Sequence, residues 1–303
     1  MTIEVRLADV SRNNNIKKKR KSYNHAINNR KNTKQRRSND DHDDGRLTAT
    51  EDFSSSSFPL QRLYMSCVDA FKGVGTVPSD THVQKLCHIL DGMVAEDVGL
   101  SRNLQFFKTR SIAGVTPKVA CTTIYQCEKF SLCIFFLPAN AVIPLHNHPE
   151  MTVFNKLLLG KVHIKAYDLV DSTDSDDSVS PLQRQPKLAS VKADGIFTAP
   201  CDTSVLYPTS GGNIHSFTAI TPCAILDVMG PPYSKKDGRD CSYYREITDS
   251  ALPSDERAVM SGEESERYCW LEEIEVPKES EMEGIEYMGP QIIEMSSSFR
   301  SPV

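Results

Sequence analysis

Three histidines in this 303-residue chain have the spacing and surroundings to share one metal ion. His146 and His148 stand in the run Pro144-Leu145-His146-Asn147-His148-Pro149-Glu150. Alternate side chains of an extended chain point to the same face, so the two imidazoles can aim at one point. The flanking prolines disfavour helix and stiffen the approach. His215 follows much later, in Gly211-Gly212-Asn213-Ile214-His215-Ser216-Phe217, at the start of another β-rich run. Together they predict a metal bound by His146, His148 and His215. A ligand set of two histidines and a carboxylate would cancel part of an ion's charge. Three neutral imidazoles leave a divalent ion its full charge and open positions, which suits a soft, anionic ligand such as a thiolate. Zinc with three histidines and water is the alternative metal, and a purely structural metal comes third.

Other chemistry-bearing residues read differently. His82 and His88 lie on a helical stripe and His163 on a strand between Lys161 and Lys165, so all three are expected outside the site. Glu150 follows His148 by only two residues, across Pro149, and is expected as a rim carboxylate. Asp227 is flanked by Ile225, Leu226, Val228 and Met229, where a carboxylate is costly unless something pairs with it. It reads as a partner of His215, an acceptor for a substrate ammonium, or a salt-bridge residue at the rim. If Thr221-Pro222 formed a two-residue hairpin, Asp227 and His215 would face opposite ways; a three-residue loop would put them on one face. Nine cysteines, odd in number and without a CxxC pair, indicate a reducing compartment and mostly buried thiols.

The elements that must position these residues form two groups. Leu60, Leu63, Tyr64, Cys67, Val68 and Phe71 recur at helical spacing. A second helix is capped by Ser79 or Asp80, carries the stripe Val83, Leu86, Cys87, Leu90, Met93 and Val94, and ends at Gly99. From residue 119 the texture becomes short β runs: Val119–Tyr125, Phe130–Leu137, Thr152–Leu159, Lys161–Tyr167, Ser204–Tyr207, Ile214–Ile220 and Cys223–Met229. Many short strands without alternating helices predict a mainly β sandwich or barrel. Asp171–Lys187 reads as a polar surface loop, and Tyr268, Trp270 and Leu271 as an edge strand or strap. Residues 1–58 are a basic, disordered tail, 59–290 the folded domain and 291–303 a flexible tail.

Charge excludes further classes. Residues 1–37 hold twelve Lys/Arg against two acids, so the net charge of −5 leaves the folded part acidic, with no basic face for nucleic acid. No apolar run is long enough to span a bilayer. The clusters Lys17-Lys18-Lys19-Arg20-Lys21 and Arg30-Lys31 with Lys34-Gln35-Arg36-Arg37 have the spacing of a bipartite nuclear import signal.

The histidine motifs resemble those of cupins, whose barrel is a double-stranded β-helix, or jelly roll. His146, His148 and Gly160 match the first cupin motif, and Pro208, Gly211, Gly212 and His215 the second. Thr152 and Val153 stand where that motif has a glutamate, and Ala219 where an asparagine often follows the last histidine. The match narrows with Leu145 to Val153, Lys156-Leu157-Leu158-Leu159-Gly160, Ala166-Tyr167-Asp168, Ile225 to Tyr233, Trp270-Leu271-Glu272-Glu273 and Tyr287-Met288-Gly289-Pro290. These resemble the plant cysteine oxidase family, within the cysteamine dioxygenase-like thiol dioxygenases, over roughly residues 60–290. The resemblance implies Fe(2+) on the three histidines and O2-dependent oxidation of a protein's N-terminal cysteine to cysteine sulfinic acid. It implies group VII ethylene-response factors as substrates, an oxygen-sensing role feeding the N-degron pathway, and a monomer in nucleus and cytoplasm. Asp227 and Tyr233 match residues important or near the metal in that family, as does Cys241. The rival readings are a small-aminothiol (cysteamine-type) dioxygenase and a non-enzymatic metal-binding cupin.

Overall fold

The computed structural model describes residues 58–101, 117–170, 185–247 and 267–294. The basic clusters, nearly all of the polar insertion after Asp171, and the last nine residues lie outside them.

Two helices lead. Helix α1, Pro59–Ala70, carries Pro at its first turn, where a missing N–H costs nothing, and buries Leu60, Leu63, Tyr64 and Cys67. Helix α2, Asp80–Gly92, is capped by Ser79, whose hydroxyl accepts from the His82 amide. It stops well short of Gly99. Met93 is already extended, the Val94 amide donates to the Asp97 carboxylate, and a short 3-10 turn at Ala95–Val98 leads into Gly99. The apolar stripe ran on to Met93 because that residue is buried without being α-helical, whereas Val94 is exposed.

Among the described residues twelve strands follow: β1 Val119–Gln126, β2 Ser131–Leu137, β3 Val142–His146, β4 Thr152–Leu159, β5 Lys161–Leu169, β6 Lys187–Thr198, β7 Ser204–Leu206, β8 Ile214–Ala219, β9 Cys223–Gly230, β10 Tyr243–Ile247, β11 Tyr268–Ile274 and β12 Met282–Gly284. They make one sheet ordered β12-β1-β2-β9-β4-β7 and a second, β10-β11-β6-β5-β8-β3, that closes on itself where Tyr243 pairs with His146. This is the double-stranded β-helix that the sequence motifs imply. The patch at Tyr268–Leu271 is therefore no edge: β11 lies between β10 and β6 and completes the ring.

The sheets face each other across a core of Leu137, Leu157, Ile225, Ile143, Val162 and Phe217. Alternation then places the neighbours of these residues. Asn155 and Asp227, each two residues from a core position, and Cys133, four residues before Leu137, are in register across β4, β9 and β2 and face the same space from the first sheet. His215, two residues before Phe217, faces it from the second. The other face of the first sheet is covered by the helices, with Phe71 against Phe130 and Phe154. Lys156, 2% exposed, crosses that seam and donates to the Cys201 and Asp91 carbonyls. At the far end of the chain, Gln61 on α1 exchanges two hydrogen bonds with the Ile293 backbone.

Candidate metal centre

The strand ladders bring His146, His148 and His215 together. His146 pairs directly with His215 across β3 and β8, after an irregularity that shifts the register past Ile143. His148 lies just beyond the strand, and its backbone is held by the second motif. The His148 amide donates to Asn213 Oδ1 (3.1 Å), and Asn213 Nδ2 donates to the His148 carbonyl (2.9 Å) and to the Tyr207 carbonyl (2.7 Å). Gly212 has φ +87°, and a Cβ there would lie 2.7 Å from Ala166 Cβ, so only glycine fits this turn. The turn presents the Gly212 and Asn213 amides to one Asp168 oxygen, at 2.8 and 3.0 Å.

One ligand atom from each histidine lies within 4.8 Å of the others. Hydrogen bonds to the opposite ring nitrogens select the ones that are left. His146 Nδ1 donates to the Pro144 carbonyl (2.8 Å). His148 Nδ1 donates to the Tyr233 hydroxyl (2.9 Å), which in turn donates to the Asn147 carbonyl (2.8 Å). Both rings are thereby fixed with Nε2 bare, as outer hydrogen bonds fix metal-ligating histidines generally. His148 Nε2 stands 3.1 Å from His215 Nε2. That separation suits two ligands sharing an ion at about 2.0–2.1 Å each.

Electrostatics agree. Burial pulls the His146 pKa below its usual range. Burial and mutual repulsion hold His148 and His215 well below theirs, so all three are neutral at pH 7 and ready to bind a cation. Among the described residues no carboxylate joins them: Val153, at the position where the cupin motif has its glutamate, packs in an apolar cluster with Met151, Leu206 and Met229. The residues fit a divalent ion held by three imidazoles.

Asp227 corrects the reasoning about a hairpin. Strands β8 and β9 do not pair; they belong to different sheets, so Asp227 and His215 face the same space from opposite walls. No hydrogen bond joins them among the described residues. The Asp227 partner is Asn155, whose Nδ2 donates to Oδ1 at 2.8 Å. Asp227 is 4% exposed, and burial raises its pKa to about 7 against the pull of that bond. Tyr233 packs against the same inner face and is close enough to feel the Asp227 charge. Its hydroxyl, held well above its usual pKa by burial, lies beside the Cys241 thiol. Burial likewise pushes Cys241 up to about 11.

His163 forms a solvent-facing pair with Asp194 at 2.7 Å, and Glu150 is exposed. Sequence reasoning missed the scaffold of polar clamps. The Asn147 side-chain oxygen accepts from the Ser242 amide (2.8 Å) while the Asn147 backbone N–H donates to the Ser242 carbonyl (3.1 Å), which ties the His-Asn-His run to the start of β10. Asn147 stands between two motif histidines and Asn213 two residues before the third, and that proximity was the only signal they offered.

Comparison with known proteins agrees with this geometry. The PCO_ADO family model matches residues 89–292. Plant cysteine oxidase 2 of Arabidopsis thaliana is 46% identical over 239 residues, covering 78% of this chain and 84% of its own. Plant cysteine oxidase 1 from the same plant is 45% identical, covering 77% and 80%. The human 2-aminoethanethiol dioxygenase is 30% identical over 70% of this chain and 81% of its own. Among solved structures, an RmlC-like cupin from Shewanella frigidimarina is 12% identical, covering 45% of this chain and 96% of its own with a TM-score of 0.28. A metal-ready histidine cluster in a jelly roll, matched over most of the chain by the family model, makes this protein an enzyme of the PCO_ADO family.

Proposed function

We propose that this protein is an Fe(2+)-dependent dioxygenase that oxidises the N-terminal cysteine of polypeptides to cysteine sulfinic acid with O2. The observation that carries the reading is a donor set of three buried, neutral imidazoles with no carboxylate among them. Iron, when bound, supplies the redox chemistry between O2 and sulfur. The chain supplies position and charge. His146, His148 and His215 hold the ion, and Tyr233 keeps His148 turned with Nε2 toward it. Asp227, on the facing wall and anchored by Asn155, accepts the α-ammonium of the substrate. The apolar walls formed by Met151, Val153, Met229 and Phe217 limit water around the reacting sulfur.

The finer reading rests on resemblance to the plant cysteine oxidases. The substrates are group VII ethylene-response factors, the sulfinic acid feeds the arginylation branch of the N-degron pathway, and O2 dependence makes the enzyme an oxygen sensor. The enzyme acts as a monomer. Nuclear as well as cytoplasmic location follows from the paired basic clusters at 17–21 and 30–37. A small-aminothiol substrate is the second reading, favoured by the likeness to 2-aminoethanethiol dioxygenases. Iron-loaded protein should consume O2 with a Cys-initiating peptide far faster than with 2-aminoethanethiol. The reverse preference would replace the first reading with the second, and no uptake with either would leave only a metal-binding cupin.

A further inference from the structure

A cleft of about 430 Å³ opens beside the histidines, lined by Cys241, Ser242, Tyr243, Glu273, Ile274, Glu275 and Val276. Its volume falls within the roughly 300–1,000 Å³ of ordinary ligand clefts. It adjoins the metal centre by two routes. The Tyr243 ring lies 6.4 Å from that of His146 and is its ladder partner. Cys241 sits within hydrogen-bonding range of both Tyr243 and Tyr233, and Tyr233 contacts His148.

The far end of the cleft has the make-up of a surface awaiting a chain. The β10–β11 ladder ends at the Tyr243–Ile274 pair, and Glu275 and Val276 run on past it. Val276 is 71% exposed and offers an apolar surface at the end of the cleft. Glu273 accepts from the Ser242 hydroxyl at 3.3 Å, and neither Glu273 nor Glu275 is ion-paired with any described residue. Among the described residues, no Lys or Arg lines the cleft.

We infer that this cleft binds the residues that follow the substrate's N-terminal cysteine, and that Glu273 and Glu275 make it select a basic side chain there. The inference rests on the polypeptide-substrate reading above. An extended chain advances about 3.3–3.6 Å per residue, so the second to fourth residues of a substrate whose sulfur is at the histidines reach the Tyr243–Val276 stretch. Main chain and apolar side chains would lie along Ile274 and Val276, with the cation between the two carboxylates.

The test is a set of equal-length Cys-initiating peptides carrying Lys, Gln or Glu at the third and fourth positions, with 2-aminoethanethiol as a substrate too small to reach the cleft. At low salt the Lys peptides should have a kcat/KM about two- to tenfold above the Glu peptides, expressed in KM, and the gap should close as salt rises. Glu273→Gln with Glu275→Gln should abolish that gap and leave 2-aminoethanethiol turnover unchanged. Equal kcat/KM across the wild-type peptide series would overturn the cleft assignment while leaving the dioxygenase reading intact. Oxidation of 2-aminoethanethiol with no oxidation of any peptide would overturn the polypeptide reading and this assignment with it.

Discussion

Replacing Asp227 with Asn should make the metal-free protein more stable at alkaline pH and the enzyme less active. The carboxyl group is buried, and its pKa rises from 3.8 to about 7. Between those values the native state keeps a proton that the unfolded chain has already lost, so stability falls as pH rises from about 4 to about 7 and stays reduced above it. At 1.36 kcal/mol per pH unit the full effect is ~4 kcal/mol. Asparagine keeps an oxygen to accept from Asn155 Nδ2 but brings an amide that needs its own partner, which leaves a gain of about 1–3 kcal/mol at pH 8 and none at pH 4. The substrate side runs the other way. Losing one charge-assisted hydrogen bond to the α-ammonium costs about 1.5–3 kcal/mol, or roughly tenfold to hundredfold in kcat/KM. Urea unfolding of chelator-treated protein at pH 4 and pH 8, beside peptide turnover of iron-loaded protein, measures both. An Asn variant that is less stable than wild type at pH 8, or that turns over a Cys-initiating peptide at the wild-type rate with full iron, refutes the reasoning.

Other perturbations report on the rest of the site. His215→Ala should remove most of the iron, read by metal analysis, while circular dichroism shows the barrel intact; full occupancy would remove His215 from the ligand set. Tyr233→Phe deletes both the acceptor for His148 Nδ1 and the donor to the Asn147 carbonyl, so iron affinity or turnover should fall about ten- to hundredfold; competition with a chelator measures the first. Lys156→Met should leave iron content unchanged but loosen the helix seam, because it strips the Cys201 and Asp91 carbonyls of their donor; hydrogen exchange on α2 should speed up. A reporter fused to residues 1–40 should enrich in the nucleus and lose that enrichment when Lys17, Lys18, Lys19 and Lys21 are neutralised.

Strands with continuous or strictly alternating apolar patterns were legible in the sequence, and so was the histidine cluster they carry. Strand β9, buried along all eight residues, is the clearest case. Strand β6 was not foreseen, although at twelve residues it ties β5 to β11. Its sequence, Lys-Leu-Ala-Ser-Val-Lys-Ala-Asp-Gly-Ile-Phe-Thr, exposes every second residue from Lys192 on, Ile196 included, and Asp194-Gly195 in its middle reads as a turn. Closure of the ring decides in favour of strand despite that propensity. Strand β10 was hidden for a related reason: five residues with one fully buried side chain give no period to detect. The site was readable down to its ligands because HxH on a strand carries its geometry with it. The roles of Asn155, Asn213 and Asp168 depend on register between strands far apart in sequence, which no local pattern encodes.

Oxygen labelling tests the central claim most directly. Iron-loaded enzyme would be given 18O2 and three peptides of one composition: one with a free N-terminal cysteine, one with that amine acetylated, and one with the cysteine internal. Mass spectrometry should find two labelled oxygen atoms on the cysteine of the first peptide, and at least tenfold less product from the other two. Equal oxidation of all three, or a product carrying one labelled atom, would contradict an N-terminal cysteine dioxygenase built on these three histidines.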